Sequence, residues 1–244
     1  MAADLSRPAF YALASGGWRD YVTLLHPPYT AWNLSFVAIG TALTPAFSFS
    51  RLLPTLAAFF LAVGVGAHAL DELRGRPLKT RIPDAVLVAL GVASLVLAAG
   101  IGAVGAAVVN PWIAPFVAAG SFIVVAYSLE LFAGRFHTDV WFALSWGSFP
   151  VLTGFFAAAG TVSLAALFGA AFAFALSLAQ RHLSTRVREV RRRIARVAGT
   201  VTRHDGSVEP ITASDLAKAE EIALRALTGA TVALAAALVA MRVA

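Results

Sequence analysis

Seven stretches of this chain, residues 29–48, 52–70, 84–105, 108–129, 139–160, 163–180 and 222–241, are apolar over lengths close to the thickness of a bilayer. A helix needs about 20 such residues to cross the hydrocarbon core. Only 13% of the 244 residues are charged while 59% are hydrophobic. A soluble domain of this size carries roughly twice that charged fraction and would have nowhere to hide so much apolar surface. The expected fold class is therefore an all-α, polytopic membrane helix bundle of about seven transmembrane helices. Residues 1–244 form a single transmembrane domain. The N-terminal MAADLSRPAFYALASGGWRDYVTLL lacks the basic start and unbroken apolar core of a cleaved signal peptide.

Charge orients the bundle. With the N-terminus inside, Arg74, Arg76, Lys79, Arg81, Arg135 and the run that starts at Arg181 fall on the cytoplasmic side. Of the 19 Lys and Arg residues, only Arg51 and Arg242 fall outside. That asymmetry follows the positive-inside rule and fits an odd helix count, N-inside and C-outside, in the cell membrane. The net charge of +6 then has a membrane explanation, contact with anionic lipid head groups, and does not call for nucleic acid. The absence of cysteine excludes disulfide and thiolate chemistry.

The sizeable extramembrane segment is 181–221, between the sixth and seventh spans. Leu183, Val187, Val190, Ile194 and Val197 make an apolar stripe at helical spacing, with Arg186, Arg188, Arg191, Arg192, Arg193 and Arg196 on the remaining faces. Such a helix lies on the membrane surface, closes a cytoplasmic cavity as a lid, or does both. Asp205-Gly206 marks a hairpin, and Ser214-Asp215 is placed to cap a helix running into the last span.

Ionisable residues near span ends are the candidates for chemistry. His68, Asp71 and Glu72, at i, i+3 and i+4, share a helical face at the end of the second span. They can hold a hard divalent ion, or form a hydrogen-bonded network with Arg74 or Arg76. At the end of the sixth span, His182, Arg186 and Arg188 belong to an arginine-rich surface suited to phosphate; the positive-inside rule alone also accounts for it. Asn33 needs a partner in lipid and so faces the bundle. Tyr127, Ser128, Glu130 and Trp146 read as helix contacts or interface anchors, His137 and Asp139 as solvated loop residues, and His26 as uninformative. Gly64-Val65-Gly66 is a packing element, and no nucleophile elbow, Walker loop or dinucleotide fingerprint is present. No inverted repeat suggests a transporter.

Taken together, HALDELRGRPLKTRIP, PPYTAWNLSFVAIGTAL, AYSLELF and LSWGSFPVLTGFFA resemble segments of the UbiA-type intramembrane prenyltransferases, over roughly residues 26–188. That family has nine helices and two Asp-rich motifs, whose magnesium ions hold an allylic diphosphate. Here His68 stands at the first Asp of the first motif and Asp71 matches the second. Arginines and His182 stand where the second motif's aspartates would be. The resemblance implies a shortened UbiA-type fold that binds an isoprenoid diphosphate. His68, Asp71 and Glu72 would hold Mg2+, with Asp71 and Glu72 catalytic. Asn33, Arg76, Tyr127, His182, Arg186 and Arg188 would contact substrate, and Arg186 and Arg188 would replace the second metal. It implies either prenyl transfer to a small or lipid acceptor, or a non-catalytic lipid-binding or assembly subunit that kept the bundle.

Overall fold

The computed structural model describes residues 7–243 and is all-helical apart from one small hairpin. A short helix, α1 (Trp18–Leu24), leads into α2 (Pro27–Ala42), α3 (Phe49–Leu73), α4 (Asp84–Val108) and α5 (Ile113–Ser128). Then follow α6 (Asp139–Ala159), α7 (Leu164–Arg193), β1 (Thr200–Thr202), β2 (Val208–Pro210) and α8 (Lys218–Ala240). Five of these helices, α3, α4, α6, α7 and α8, are long and apolar enough to cross a membrane. Their outer surfaces agree: Val92, Val96, Leu97, Val104 and Val108 of α4, with Leu164 and Phe168 of α7, are exposed. A face of that kind is stable against hydrocarbon, not against water. The chain has the architecture of a multi-pass membrane protein.

Every expected span coincides with a helix, but the first and fourth are shorter than expected, 16 residues each. At about 1.5 Å per residue, each is about 24 Å long. The turn after Ala42, through Pro45, ends α2 early, and Asn110-Pro111 delays α5, its side-chain oxygen accepting from the Trp112 N–H at 2.9 Å. Helix starts follow capping chemistry: Ser48, Thr138 and Ser163 each accept a hydrogen bond from the first turn of α3, α6 and α7. α6 stops at Gly160, whose φ of 68° suits a left-handed cap.

The centre of the bundle is α2, where Trp32, Phe36 and Ile39 pack with Val151 of α6, Ala173 of α7 and Ala235 of α8. α2 and α6 cross at near backbone contact. A Cβ on Gly40 would lie 2.1 Å from the Val151 carbonyl oxygen, and one on Gly154 would lie 2.4 Å from that of Val37. Small residues allow this approach in lipid, where packing rather than water drives association.

Two helices change pitch. Phe60–Ala67 within α3 and Leu144–Ser148 within α6 are π-helical. Wider turns of this kind free carbonyls and redirect side chains.

Beyond the bundle, α7 runs unbroken to Arg193. Its stripe residues Val187 and Val190 are buried against Ala217 and Leu224, with Phe10 and Tyr29 alongside. These stripe residues thus form a packing face for the rest of the protein, and Ile194 and Val197 fall beyond the helix. Arg191 Nε meets Glu221 at 2.5 Å, both side chains buried, which ties α7 to α8. The hairpin forms about Asp205-Gly206 as expected, pairing Thr200 with Pro210 and Thr202 with Val208. Asp215 does not cap α8; its carboxylate accepts from Thr212 N and Oγ1, and regular helix begins at Lys218.

Candidate binding cavity

Where α2, α3, α5 and α7 come together at the basic end of the bundle, they enclose a cavity of about 430 Å³. Its walls include His26, Tyr29, Asn33, His68, Asp71, Tyr127, Ser128, Ser177, Gln180 and Arg188. On α7, Ser177, Gln180, Arg181, Ser184, Arg188 and Arg192 recur at three, one, three, four and four residues, one face of a helix turning about 100° per residue, and Val187 and Arg193 complete the lining from that helix.

The arginines differ in what they hold. Arg181 pairs with Asp139 at 2.9 Å and Arg74 with Glu130 at 3.1 Å. Arg188 instead donates to the hydroxyls of Ser184 (3.2 Å) and Thr185 (2.8 Å), and Arg192 Nε to the Pro8 carbonyl (3.2 Å). Among the described residues neither meets a carboxylate in an ion pair, so their positive charge is available to an anion in the cavity.

On the opposite wall, the π-turn of α3 delivers His68, whose Nδ1 lies 3.1 Å from the Gly64 carbonyl. Its ring stacks on His26 at 4.0 Å between centroids and 11° between planes. The His26 Nδ1 lies 2.8 Å from the Tyr11 hydroxyl. Burial, then the neighbouring His68, Arg192 and Arg188, hold His26 well below the ordinary imidazole value, so it is neutral. Burial likewise pushes the Tyr11 phenol well above its ordinary value, so Tyr11 keeps its proton beside His26. His26 sits at φ 45° before two prolines, an uncommon conformation for a non-glycine residue that here aims its ring into the site.

Five buried side-chain polar atoms have no hydrogen-bond partner among the described residues: Asn33 Oδ1, Tyr127 Oη, Ser128 Oγ, Ser177 Oγ and Gln180 Oε1. All five belong to residues lining this cavity. Buried polar atoms are nearly always paired, because leaving one unpaired costs about 1–3 kcal/mol. Asn33 does use its amide nitrogen, donating to the Trp146 carbonyl within the π-turn of α6 (3.2 Å), and its oxygen has no partner among the described residues.

A second, larger chamber of about 750 Å³ lies between α3, α4, α5 and α6, lined by Phe59, Leu95, Ile113, Phe116 and Phe149. Val63 and Trp146 stand in the walls of both chambers, so the two meet there.

Several expected site residues lie elsewhere. Glu72 is fully buried but turns away from His68 and Asp71. Its Oε1 accepts from Thr80 N and Thr80 Oγ1, and its Oε2 from Leu78 N, each at 2.9 Å. It organises the α3–α4 loop. Arg76 staples the same loop, donating to the Ile82 carbonyl at 2.5 Å and pairing with Asp84, so neither it nor Arg74 joins the acidic cluster. His182 is exposed outside the cavity, and Arg186 pairs with Glu189 at 2.9 Å, because two residues of helix rotate it away from Arg188. Arg192, four residues on, takes the place expected for Arg186.

The expected magnesium site through His68, Asp71 and Glu72 does not fit these residues. No three His, Cys, Asp or Glu side chains converge as a metal site would need among the described residues. Magnesium prefers an octahedron of oxygens. With Glu72 committed to the loop and Glu130 to Arg74, Asp71 is the one carboxylate of the wall outside such a pairing.

His137 is not a solvated loop residue. It stacks on Tyr127 at 4.3 Å and its Nδ1 lies 3.0 Å from the Tyr127 carbonyl. Asp139 opens α6 and holds Arg181. Tyr11, His26 and Tyr29 join the site with no sequence spacing to announce them. The α7 face from Ser177 to Arg192 could have been found from its periodicity.

Comparison of the chain with protein-family models, with characterised proteins and with solved structures finds no match. The functional reading rests on the cavity.

Proposed function

We propose that this membrane protein binds an anionic isoprenoid lipid, of the prenyl diphosphate class. The head group would sit against Arg188 and Arg192, and the chain in the apolar chamber beyond Val63 and Trp146. One observation carries the reading: a polar chamber with unspent hydrogen-bonding atoms adjoins an apolar one across the shared wall of Val63 and Trp146, the chemistry that a single-headed amphiphile would match. Arginine forks suit phosphate oxygens, and Asn33, Tyr127, Ser177 and Gln180 supply further polar contacts. Arg186 and His182 have no part in it.

In the proposed arrangement all seven longer helices cross, N-inside and C-outside, with the cavity at the cytoplasmic face. Consistent with this, the Arg242 side chain bonds the Ala42 carbonyl at 2.7 Å, at the opposite end of α2 from the cavity. Exposed Arg193 and Arg196 would meet anionic lipid head groups on the cytoplasmic side. A reporter fused to the C-terminus should read as external.

Asp71 favours a second reading, prenyl transfer. Its carboxylate lines the same cavity as Arg188. It could take the proton of an acceptor hydroxyl as the bond from prenyl carbon to diphosphate oxygen breaks and a carbon–oxygen bond to the acceptor forms. The arginines would hold the departing diphosphate. A lipid-binding or assembly role needs no such step.

The test is calorimetric binding of a soluble prenyl thiodiphosphate to the purified protein in chelator, with rising salt. Binding should be measurable without metal, should weaken as salt rises, and should be lost in an Arg188→Gln/Arg192→Gln variant but not in Arg186→Gln. Equal loss in both variants, or no binding in chelator, would sink the reading. Release of inorganic diphosphate that depends on Asp71 would select transfer over binding alone.

A further inference from the structure

One wall of the cavity belongs to no helix. Pro8, Ala9, Phe10 and Tyr11 line it, within a strap that runs from Arg7 to the start of α1 as bends and a turn. The strap lies on the molecule through an unusual set of contacts. Two consecutive α7 arginines reach its backbone: Arg191 Nη1 donates to the Arg7 carbonyl and Arg192 Nε to the Pro8 carbonyl, each at 3.2 Å. The Tyr11 hydroxyl meets His26, and Leu13 N donates to Thr23 Oγ1 at 3.0 Å. Ala9 and Ala12 are buried with Leu78 of the α3–α4 loop.

At its other end the strap hangs on Gly16-Gly17, with φ of 122° and 62°. A Cβ at either position would meet nothing within 4 Å. Space does not require glycine there; backbone freedom does. The joint is anchored from below, because buried Asp20 accepts from Gly16 N through Oδ1 (2.9 Å) and from Arg81 N through Oδ2 (2.8 Å). A fixed base, a glycine pair and a tip held by side-chain-to-backbone bonds make a hinged cover.

We propose that Arg7–Leu13 is a lid over the polar chamber, swinging on Gly16-Gly17 and latched by Arg192. The latch residue is also one of the two arginines offered to the anion. A phosphate in the cavity therefore bears on the group that holds the lid, and admission from the aqueous side requires the lid to lift. The inference rests on the proposed anion site only for what the lid encloses; the movement itself can be tested without a ligand.

The chain contains no cysteine, so an Ala9→Cys/Leu78→Cys pair can be oxidised in this chain without a competing thiol. The probe is phenylglyoxal, with modification of Arg188 and Arg186 followed by mass spectrometry. Oxidising the pair should slow modification of Arg188 by about tenfold or more, as expected when access needs local opening. Arg186, outside the cavity, should be unaffected, and reduction should restore the rate. An Arg192→Gln variant should label faster at Arg188 than wild type. The lid is overturned if Arg188 labels at one rate in the oxidised and reduced forms, if the disulfide does not form, or if Arg192→Gln leaves the rate unchanged. None of these outcomes depends on prenyl diphosphate binding, so failure of that reading would be seen separately.

Discussion

The α3–α4 loop and the neighbouring cavity are built from similar polar residues, yet they are finished differently. In the loop, both oxygens of Glu72 are bonded to the 78–80 turn and Arg76 is spent on Ile82 and Asp84. In the cavity, among the described residues, five side-chain atoms have no partner and two arginines meet no carboxylate. Adjacent residues, Asp71 and Glu72, fall on opposite sides of this divide. A closed polar network holds a shape; an open one, in a fold that otherwise satisfies its polar groups, is kept open for something else. The comparison assigns stability to Glu72 and recognition to Arg188, Arg192 and the orphaned atoms, and each assignment can be broken separately.

The largest effect should come from the closed network. Glu72→Ala removes three hydrogen bonds to a buried carboxylate and leaves Leu78 N and Thr80 N unpaired. It should cost roughly 3 kcal/mol or more of stability, seen as a large drop in thermal midpoint in detergent, with ligand affinity per folded molecule unchanged. A stable Glu72→Ala protein that has lost ligand would move Glu72 into the site. The open network should behave the other way. Arg188→Gln should leave the midpoint within about 0.5 kcal/mol of wild type and weaken prenyl thiodiphosphate about 10- to 100-fold, the worth of a charge-assisted hydrogen bond at about 1.5–3 kcal/mol.

A smaller effect, of one sign, should come from pH. His26 is held below its ordinary value of 6.5 chiefly by burial, with His68, Arg192 and Arg188 adding to it. Below that value the unfolded chain takes up a proton that the folded protein refuses. Stability should therefore be flat above pH 6.5, as far as this group decides it, and fall below, by at most about 1.4 kcal/mol per pH unit. Comparing thermal midpoints between pH 7.5 and 5.5 in wild type and in His26→Asn, a residue that tolerates a positive φ, checks it. An unchanged pH dependence in the variant would remove His26 from the account.

Much of the fold could be read in the sequence because lipid makes the rule simple: long apolar runs become helices, and each expected span holds one. What escaped was set by long-range contacts. The early ends of α2 and α5 depend on turns around Pro45 and Asn110-Pro111. The i, i+3, i+4 spacing put His68, Asp71 and Glu72 on one face, but the unpaired N–H groups of residues 78 and 80 drew Glu72 away. Arg188 lines the cavity while Arg186 pairs with Glu189 outside it, and a dense arginine run does not show which face turns inward until the face carrying Ser177, Gln180 and Ser184 is traced. Tyr11 and His26 meet across 15 residues of chain with no periodicity to mark them.

The smallest effect is the most discriminating, because its sign reverses between the empty and occupied protein. Tyr127 Oη and Ser177 Oγ are buried without partners among the described residues. Removing such an atom from a structural site should destabilise or do nothing, whereas removing an unsatisfied one relieves a desolvation cost. Tyr127→Phe keeps the ring that stacks on His137 and meets Trp146 edge-on at 5.5 Å, so only the hydroxyl is tested. Ser177→Ala opens no large void, since that position already faces the cavity. Each change should leave the ligand-free protein as stable as wild type or more stable by up to about 1 kcal/mol. Each should also shrink the rise in thermal midpoint on adding prenyl thiodiphosphate, since stabilisation by a ligand follows its affinity. Loss of stability in the ligand-free variants would show that these hydroxyls already have partners. An unchanged ligand-induced rise would show that the head group lies away from Tyr127 and Ser177, leaving Arg188 and Arg192 to hold it without them.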